Sequence, residues 1–461
     1  MRLSAATVDR LPAAVLRPGY DRAAQRLGIV HLGIGAFHRA HQAAYTDAAM
    51  TGGDRDWAIA GVSLRSPAVR DAIEPQDGLY TVIERSTGDA RTSLVGAVRQ
   101  VIVAPETPEA VARAIASPDT RIVTLTITEK GYHRLPGGEL DLDSAEQAGG
   151  TIYHHLARGL ADRRAAGLAG LTLVSCDNLA DNGGALRRAL ALWLDRVDPG
   201  LGRWFAAECA CPATMVDRIV PAPSPADLDD IAQVLGMRDA GAVVTEPFRQ
   251  WVIEDRFAGP RPRWELGGAT FVGDVAPYET AKLRMLNGAH SALAYLGLIA
   301  GHAHVHEAAA DPQIRAVVER LIRDEAARSL DAAPGHHLVA YGAALLGRFG
   351  NPALPHRLAQ IAADGSQKIA QRWLEPLAIN QIRGRTCPAT LRALAAWIVH
   401  VRGDGKPVVD PLADRLAALW ERSGRENIVD ALFGPHGLYP EPWRPDEEDK
   451  AILTRELRTL N

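Results

Sequence analysis

The sequence predicts an α/β fold, with a doubly wound and mostly parallel sheet in the N-terminal part and a mainly α-helical C-terminal part. Up to residue 277, short apolar runs rich in β-branched residues alternate with helical patterns, as repeated βα units do. From Tyr278 onward helical periodicity dominates and strand-like runs are scarce. The chain has 461 residues, enough for two or three sizeable cores. We therefore predict two domains, residues 1–277 and 278–461.

The individual elements follow from periodicity, glycine and proline. The predicted strands are 29–35, 57–64, 79–85, 94–103, 121–128, 171–175 and 271–275. The predicted helices of the first domain are 36–50, 108–116, 152–166, 181–210 and 225–235. Those of the second domain are 278–300, 304–309, 312–330, 337–348, 352–364, 388–402, 410–424, 426–433 and 446–460, with a turn at 364–368.

The overall composition excludes several classes of protein. The net charge is −4 and no basic amphipathic stretch occurs, so neither nucleic acid nor a membrane surface is an expected partner. No apolar run reaches about 18 residues and the N-terminus lacks a signal-peptide core, which predicts a cytoplasmic protein. We expect either a monomer or a small homo-oligomer. The four cysteines form no CxxC pair, and His302, His304 and His306 do not share a helix face, so no metal site is predicted.

A glycine turn follows the first predicted strand. The run 29–35 ends in Gly33-x-Gly35, and a helical pattern begins at once. This is the layout in which the amides at a helix N-terminus receive a pyrophosphate. The third glycine of the GxGxxG pattern is absent, since His38 stands there, and a GxG turn alone is a weak signal. The second strand ends at Arg65 rather than at an acidic residue, which leaves NAD and NADP both open.

Polar residues follow two further strands. In open α/β sheets, ligands bind beyond the carboxyl ends of the strands, which predicts ligand contacts for Glu129 and Asn178. Asn178 could instead cap the helix that follows it. Asp217 and Arg218 end a later extended piece, where they could form an ordinary surface ion pair.

The first helix of the second domain combines four polar side chains. At about 100° per residue, Glu279, Lys282, Asn287 and His290 fall within roughly 140° of one another. A solvated polar face is one interpretation, and His290 could be a structural histidine. Leucines lie within the same arc, however, which favours a lined cavity, where desolvation would lower the pKa of a lysine from its usual 10.4 or so.

Seven motifs, in order across residues 28–415, carry a family resemblance. They are LGIGAFHRAHQAAYT (32–46), TLTITEKGYH (124–133), SCDNLADNG (175–183), TMVDRIVPA (214–222), EPFRQWVIED (246–255), YETAKLRMLNGAHSALAYLG (278–297) and NPALPHRLAQIAADGSQK (351–368). The chain resembles the polyol-specific long-chain dehydrogenase/reductases, the mannitol dehydrogenase family. This resemblance implies a Rossmann-type N-terminal domain that binds NAD and a helical C-terminal domain that binds substrate.

The resemblance also implies roles for matching residues. The catalytic set would be Lys282 as general acid/base, Asn178 and Asn287 as oxyanion donors, and Glu279 as proton relay. The substrate would contact His290, Asp217, Lys368 and Arg357, although the stretch 355–358 (PHRL) departs from the expected pattern. The NAD pyrophosphate would be held by Gly33, Gly35, Phe37, His38 and Arg39, and Glu129 joins the predicted cofactor contacts.

The implied reaction is a metal-independent, NAD(H)-dependent interconversion of a ketose-type sugar acid and its secondary alcohol. The motifs TEKGY and DGSQK resemble the group that acts on D-fructuronate and D-mannonate. One alternative is a polyol dehydrogenase acting on D-mannitol and D-fructose. A more distant alternative is a nucleotide-binding regulator that kept the fold and lost catalysis.

Overall fold

A computed structural model describes residues 1–135, 137–331, 337–403 and 407–460. The chain divides into two compact units, Met1–Val275 and Ala276–Asn461. Within the described ranges, no helix is both long and apolar enough to cross a membrane.

The first unit is built on a parallel sheet. Its strands are β1 (Leu27–Leu32), β2 (Ala58–Ser63), β3 (Tyr80–Ser86), β4 (Asp89–Val95), β5 (Val98–Val103), β6 (Ile122–Leu125), β7 (Thr172–Ser175), β8 (Thr214–Asp217), β9 (Val243–Thr245), β10 (Gln250–Glu254) and β11 (Thr270–Val272). The central sheet has the order β5-β2-β1-β6-β7, with all neighbours parallel. The strand order reverses between β1 and β6, which is where such sheets open a ligand crevice. The predicted doubly wound fold is confirmed.

Helices cover both faces of the central sheet, so its strands are buried on both sides. The helices of this unit are α1 (Ala36–Ala40), α2 (Gln42–Thr51), α3 (Ala68–Ile73), α4 (Pro108–Ala116), α5 (Leu142–Ala148), α6 (Ile152–Ala165), α7 (Asn182–Val197), α8 (Pro199–Glu208) and α9 (Pro225–Leu235). Two smaller sheets, β4-β3-β9 and β11-β10-β8, complete the unit.

Several predictions in the first unit were wrong in detail. The helix predicted over 36–50 is two helices, α1 and α2, which meet at His41. The helix predicted over 181–210 is two helices, because Pro199 starts a new one and the Asp198 carboxylate caps it by accepting from the N–H groups of Gly200 and Leu201. The strand predicted over 94–103 is likewise two strands, β4 and β5, which belong to different sheets.

The second unit is helical, as predicted. Its α-helices are α10 (Ala276–Ala281), α11 (Gly288–Ile299), α12 (Val305–Ala310), α13 (Pro312–Arg320), α14 (Leu338–Phe349), α15 (Leu358–Ala362), α16 (Gly365–Ile369), α17 (Glu375–Ile382), α18 (Pro388–His400), α19 (Ala413–Phe433) and α20 (Glu447–Thr459). Three π-helical segments join neighbouring helices at Lys282–Asn287, Leu321–Ala326 and Ala370–Leu374. Helix α11 is buried along most of its length and packs against α18, α15 and α12.

The segment around residue 360 differs from its prediction. The helix predicted over 352–364 begins only at Leu358, because Pro352 and Pro355 disfavour a helix and the preceding residues pair in extended form with 303–305. The turn predicted at 364–368 is in fact α16, which continues through the π segment Ala370–Leu374 into α17. Lys368 therefore lies on a helix rather than in a turn.

A half-buried carboxylate links α2 to the loop between β4 and β5. Asp47 accepts hydrogen bonds from the Tyr20 hydroxyl (2.6 Å) and from the Gly96 N–H (2.8 Å). Burial raises the pKa of Asp47 to about 6, against the opposing effect of these two donors and of Arg22. The folded pKa thus lies above the value of 3.8 for an unfolded chain.

We predict that Asp47→Asn stabilises the protein more at pH 7 than at pH 4. Between these values the unfolded carboxyl ionises before the folded one, so the contribution of Asp47 to wild-type stability falls as pH rises through this window and levels off above about pH 6. The neutral amide removes this dependence, and a shift of two pKa units corresponds to about 3 kcal/mol. Urea unfolding at both pH values measures the difference. The exposed carboxylate of Asp9 provides the control, and equal pH dependence in Asp47→Asn and Asp9→Asn would contradict the prediction.

Candidate active site

Gly33 forms the turn after β1 in a conformation that only glycine accepts readily. Its φ is +96°, and a Cβ there would lie 2.1 Å from the carbonyl oxygen of Thr126. The N–H groups of Gly33 and Ile34 both donate to the carbonyl of Val62 at the end of β2. The turn is therefore tied to both neighbours of β1 at the point where the sheet order reverses.

Gly35 is different, because the protein itself does not require a glycine there. Gly35 is exposed and has a φ of −91°, which any residue can adopt. A Cβ added to it would have the Gly33 carbonyl oxygen as its nearest neighbour, at 3.9 Å. Open space above a backbone N–H at the start of a helix suits the close approach of a phosphate group. The turn therefore fits a dinucleotide pyrophosphate.

Two stacked imidazoles lie beneath this turn. His31 and His38 are fully buried, with ring centroids 3.3 Å apart. Desolvation lowers the pKa of His31 to about 3 and that of His38 well below 6.5, so both rings are neutral. His31 is hydrogen-bonded to Thr124 (2.7 Å) and Thr126 (2.9 Å). Since the predicted cofactor residue His38 is enclosed, we expect its side chain to support the turn from below rather than touch the cofactor.

The remaining predicted cofactor residues lie around the same turn. The ring of Phe37 stacks on His41 with centroids 5.0 Å apart. The guanidinium of Arg39 donates to the carbonyl of Gly241 and lies 5.5 Å from the ring centroid of Tyr80, so it also fastens α1 to the segment before β9. Arg65 is exposed just after β2, the strand that pairs with β1.

Glu129 and Asn178 follow the neighbouring strands β6 and β7, and both are exposed. Asn178 does not cap the next helix: Asp181 does so, by accepting from the N–H of Gly184 (3.1 Å). The capping interpretation of Asn178 was therefore wrong. Between these exposed residues lies the buried carboxylate of Asp177, which sequence reasoning missed although it directly precedes Asn178.

Asp217 is the last residue of β8 and is buried, as is Arg218. The guanidinium of Arg218 donates to the carboxylate of Glu84 and to the main-chain carbonyls of Ala40 and Glu246. The surface-pair interpretation was therefore wrong. Arg218 fixes the C-terminal end of β8, and with it the position of Asp217, against the end of α1.

In the second unit, the predicted catalytic helix contains an extra residue. Over Lys282–Asn287 the chain is a π-helix, in which each N–H bonds five positions back instead of four. A turn of such a helix takes between four and five residues, or roughly 80° per residue, so Asn287 lies roughly 40° from Lys282 instead of the 140° of an α-helix. The same insertion brings His290 to within roughly 20° of Lys282. Glu279, Lys282, Asn287 and His290 then share an arc of about 80°.

A second π segment, Ala370–Leu374, donates side-chain hydrogen bonds to the end of the first. Arg372 donates to the Ser291 hydroxyl (2.7 Å) and, at 3.5 Å, to the carbonyl of Asn287, and the indole of Trp373 donates to the carbonyl of Gly288 (3.2 Å). Gly288 permits this contact, because a Cβ there would lie 3.3 Å from the Arg372 carbonyl oxygen. Carbonyls displaced by the extra residue thus accept hydrogen bonds from side chains. Arg372 is a second contributor that sequence reasoning did not identify.

His290 lies between Phe349 and His356, with ring centroids 4.9 Å and 5.6 Å away. Desolvation, followed by the nearby positive groups of His356, Arg348 and Arg372, lowers the pKa of His290 to about 3. The imidazole is therefore neutral, and it can exchange hydrogen bonds with hydroxyl groups without adding charge.

The two remaining predicted substrate residues differ in their surroundings. Lys368 lies on α16, partly buried, and its amine donates to the carbonyl of Ala363. Arg357 is exposed just before α15, and its main chain forms a bridge with His304. Lys368 thus lies on the same continuous helical element as Arg372, whereas Arg357 lies on the surface.

The histidines at 302–306 have local partners. His302 pairs with Asp311 (3.3 Å), and His304 pairs with Glu307 (3.2 Å) in the capping box of α12. Across the ranges that the structure describes, no group of three or more histidine, cysteine or carboxylate side chains is placed to hold a metal ion.

Comparison with known proteins decides the family. Residues 27–266 match the mannitol dehydrogenase Rossmann domain, and residues 274–440 match the mannitol dehydrogenase C-terminal domain. This chain belongs to the mannitol dehydrogenase family. The family resemblance inferred from the seven motifs is confirmed, and the chain is an oxidoreductase.

Members of the mannitol dehydrogenase family with different names are equally similar to this chain. D-mannonate oxidoreductase of Escherichia coli K12 is 39% identical over 94% of this chain and 92% of its own length. A mannitol 2-dehydrogenase of Aspergillus fumigatus is also 39% identical, over 100% of this chain and 97% of its own. The ternary complex of Pseudomonas fluorescens mannitol 2-dehydrogenase with NAD and D-mannitol is 34% identical and matches with a TM-score of 0.81, covering 100% of this chain and 97% of that one.

The two glycines of the turn provide a test of the dinucleotide site in this family member. Gly35→Ala meets no protein atom within 3.9 Å, so we expect an unchanged melting temperature but at least tenfold weaker NADH binding, because the methyl group occupies the space for the phosphate. Gly33→Ala should lower the melting temperature, because it combines a positive φ with a backbone clash. Fluorescence titration with NADH and thermal unfolding measure the two effects. Normal NADH affinity in Gly35→Ala would place the pyrophosphate elsewhere.

Proposed function

We propose that this chain is an NAD(H)-dependent oxidoreductase that interconverts D-fructuronate and D-mannonate, with Lys282 as general acid/base and no metal. The observation that supports the chemistry is the π segment Lys282–Asn287, around which these two residues are separated by roughly 40° about the helix axis. The substrate is supported by the motifs TEKGY and DGSQK and by the similarity to D-mannonate oxidoreductase.

Oxidation of a secondary alcohol requires a base for the hydroxyl proton and stabilisation of the developing alkoxide. When bound, the nicotinamide cofactor accepts the hydride. The amine of Lys282 takes the hydroxyl proton, and in the reverse direction it returns that proton to the new alcohol. General acid–base catalysis of this kind contributes roughly 10²–10⁴-fold to the rate.

Two amides stabilise the alkoxide in this proposal. Asn178 and Asn287 each donate a hydrogen bond to the oxygen on which negative charge develops, and one such donor can stabilise the transition state by roughly 3–4 kcal/mol. Glu279 lies one turn before Lys282 and passes the proton on to solvent. The neutral imidazole of His290 orients a substrate hydroxyl by hydrogen bonding.

The remaining proposed contacts hold the two ligands. Gly33, Gly35 and Phe37 hold the dinucleotide at the turn, with Arg39 fastening α1 below it and Glu129 at the end of β6. Asp217, Lys368 and Arg357 contact the polar groups of the substrate. We propose NAD as the cofactor from the family resemblance, with Arg65 as the residue that would admit the 2′-phosphate of NADP.

A second function has support of its own, since the mannitol 2-dehydrogenase of Aspergillus fumigatus is as similar in sequence as the mannonate enzyme. In that case the chain oxidises D-mannitol to D-fructose with the same Lys282 chemistry. The two functions differ in one chemical group of the substrate, a carboxylate in place of a hydroxymethyl group.

A substrate panel separates these functions. We expect NADH oxidation with D-fructuronate to have a kcat/KM at least tenfold above that with D-fructose, a difference of about 1.4 kcal/mol in transition-state stabilisation. The reverse reaction with D-mannonate and D-mannitol, and each substrate with NADPH, complete the panel. Faster turnover of fructose and mannitol would replace the mannonate function by the polyol function.

Removal of the proposed base tests the chemistry for either substrate. Lys282→Ala should lose roughly 10²–10⁴-fold in kcat at neutral pH, because the variant lacks the proposed general acid/base, while NADH affinity stays near the wild-type value. Lys450 of α20 is a partly buried lysine that pairs with Asp430, so Lys450→Ala provides the control and should keep full activity. Near-normal turnover by Lys282→Ala would remove Lys282 as the base.

A further inference from the structure

One buried carboxylate joins the ends of two neighbouring strands in the first unit. Asp177 follows β7, and its Oδ1 accepts hydrogen bonds from the N–H groups of Ile127 (2.8 Å) and Thr128 (3.0 Å), just after β6. Its Oδ2 accepts from the hydroxyl of Tyr132 (2.9 Å), which also contacts the Ser175 hydroxyl (2.7 Å). Three donors from the loop after β6 therefore bond to the carboxylate of Asp177, a residue that is 7% exposed.

The loop that Asp177 holds is strained. Thr128 has φ 69° and ψ 159°, a region that is open to glycine and costly for a β-branched residue. Such a conformation persists only where neighbouring groups over-determine it. The N–H of Thr128 donates to Asp177, and the next residue along the chain is Glu129, a proposed cofactor contact.

The main chain of Asp177 is fixed as well. Its carbonyl accepts from the buried amide of Asn182 (3.0 Å), which also bonds the carbonyl of Thr214 (2.9 Å) at the start of β8. The residue directly after Asp177 is Asn178, a proposed oxyanion donor. The side chain and the main chain of Asp177 thus fix both exposed residues that face the ligand crevice.

We propose that Asp177 is a positioning residue that sets the conformation of Asn178 and of the Thr128–Glu129 loop, through its three hydrogen bonds to the loop after β6. The proposal rests on the proposed role of Asn178 in alkoxide stabilisation. Asp177 does not touch the reacting atoms; it acts through the residue that follows it.

A double-mutant cycle tests this coupling. Asp177→Ala should lower kcat by roughly 10²-fold, comparable to the loss of one oxyanion donor, with little change in NADH affinity. Because it acts through Asn178, it should cost little more in an Asn178→Ala background, and losses that simply multiply would overturn the proposal. Asp177→Asn keeps an oxygen acceptor for the two N–H groups and should retain most of the wild-type kcat.

A matched control separates positioning from general stability. Glu325 in the second unit is also buried and also accepts from two N–H groups (Ala389, Thr390) and one hydroxyl (Thr390). Glu325→Ala should lower the melting temperature and leave kcat unchanged, and an equal loss of kcat would overturn the inference. If Asp177→Ala does not fold, Asp177→Ser satisfies fewer of the three donors and should still lose roughly tenfold in kcat.

The readout also distinguishes this inference from the proposed function. All variants are assayed by NADH oxidation with D-fructuronate and, in parallel, with D-fructose, so an error in the substrate leaves the cycle intact. A normal kcat in Asn178→Ala would remove the proposed role of Asn178, and the inference with it. A deficient Asn178→Ala beside a fully active Asp177→Ala would overturn the inference alone.

Discussion

The extra residue in the helix at Lys282–Asn287 is the constraint on which the proposed chemistry depends. An α-helix over the same residues would turn Asn287 away from Lys282 by roughly 140°. The π segment brings both to one side, and it persists because Arg372 and Trp373 satisfy carbonyls at Asn287 and Gly288. Arg372 and Trp373 lie on the π segment that continues α16, the helix that contains Lys368. One continuous helical element therefore links Lys368, a proposed substrate contact, to Asn287, a proposed oxyanion donor.

In the first unit, residues proposed to meet a ligand are supported by polar side chains of their neighbours. Gly33 rests on Thr126 and the His31–His38 stack, Asn178 follows Asp177, and Asp217 precedes the buried Arg218. Asp177 and Arg218 direct most of their hydrogen bonds to main-chain groups of a neighbouring strand or helix. Such bonds are costly to break in a buried setting, so they hold the adjacent Asn178 and Asp217 in place through the main chain.

The sequence was sufficient for the parallel sheet, the helical second unit and the glycine turn, because these depend on local periodicity and on glycine. It was not sufficient for the π segment, since the donors that stabilise it lie 85 positions along the chain from Asn287 and Gly288. Asp177 was missed for a similar reason: its main-chain partners are about fifty residues away, in the loop after β6. The broken helix at Pro199 is different, because a local signal was present and was outweighed by apolar periodicity.

Charge gives a physical basis for the choice between a sugar acid and a polyol. A sugar acid adds one carboxylate, so a site that prefers it needs a cation that keeps its charge when the substrate is bound. His290 cannot supply that charge, because desolvation lowers its pKa to about 3, and the pKa of the adjacent His356 is lowered as well. Arg372 is occupied by Ser291 and the main chain of the catalytic helix. Among the proposed substrate contacts of this unit, Lys368 and Arg357 are therefore the cations left to discriminate the two substrate classes, and the amine of Lys368 is directed by the carbonyl of Ala363.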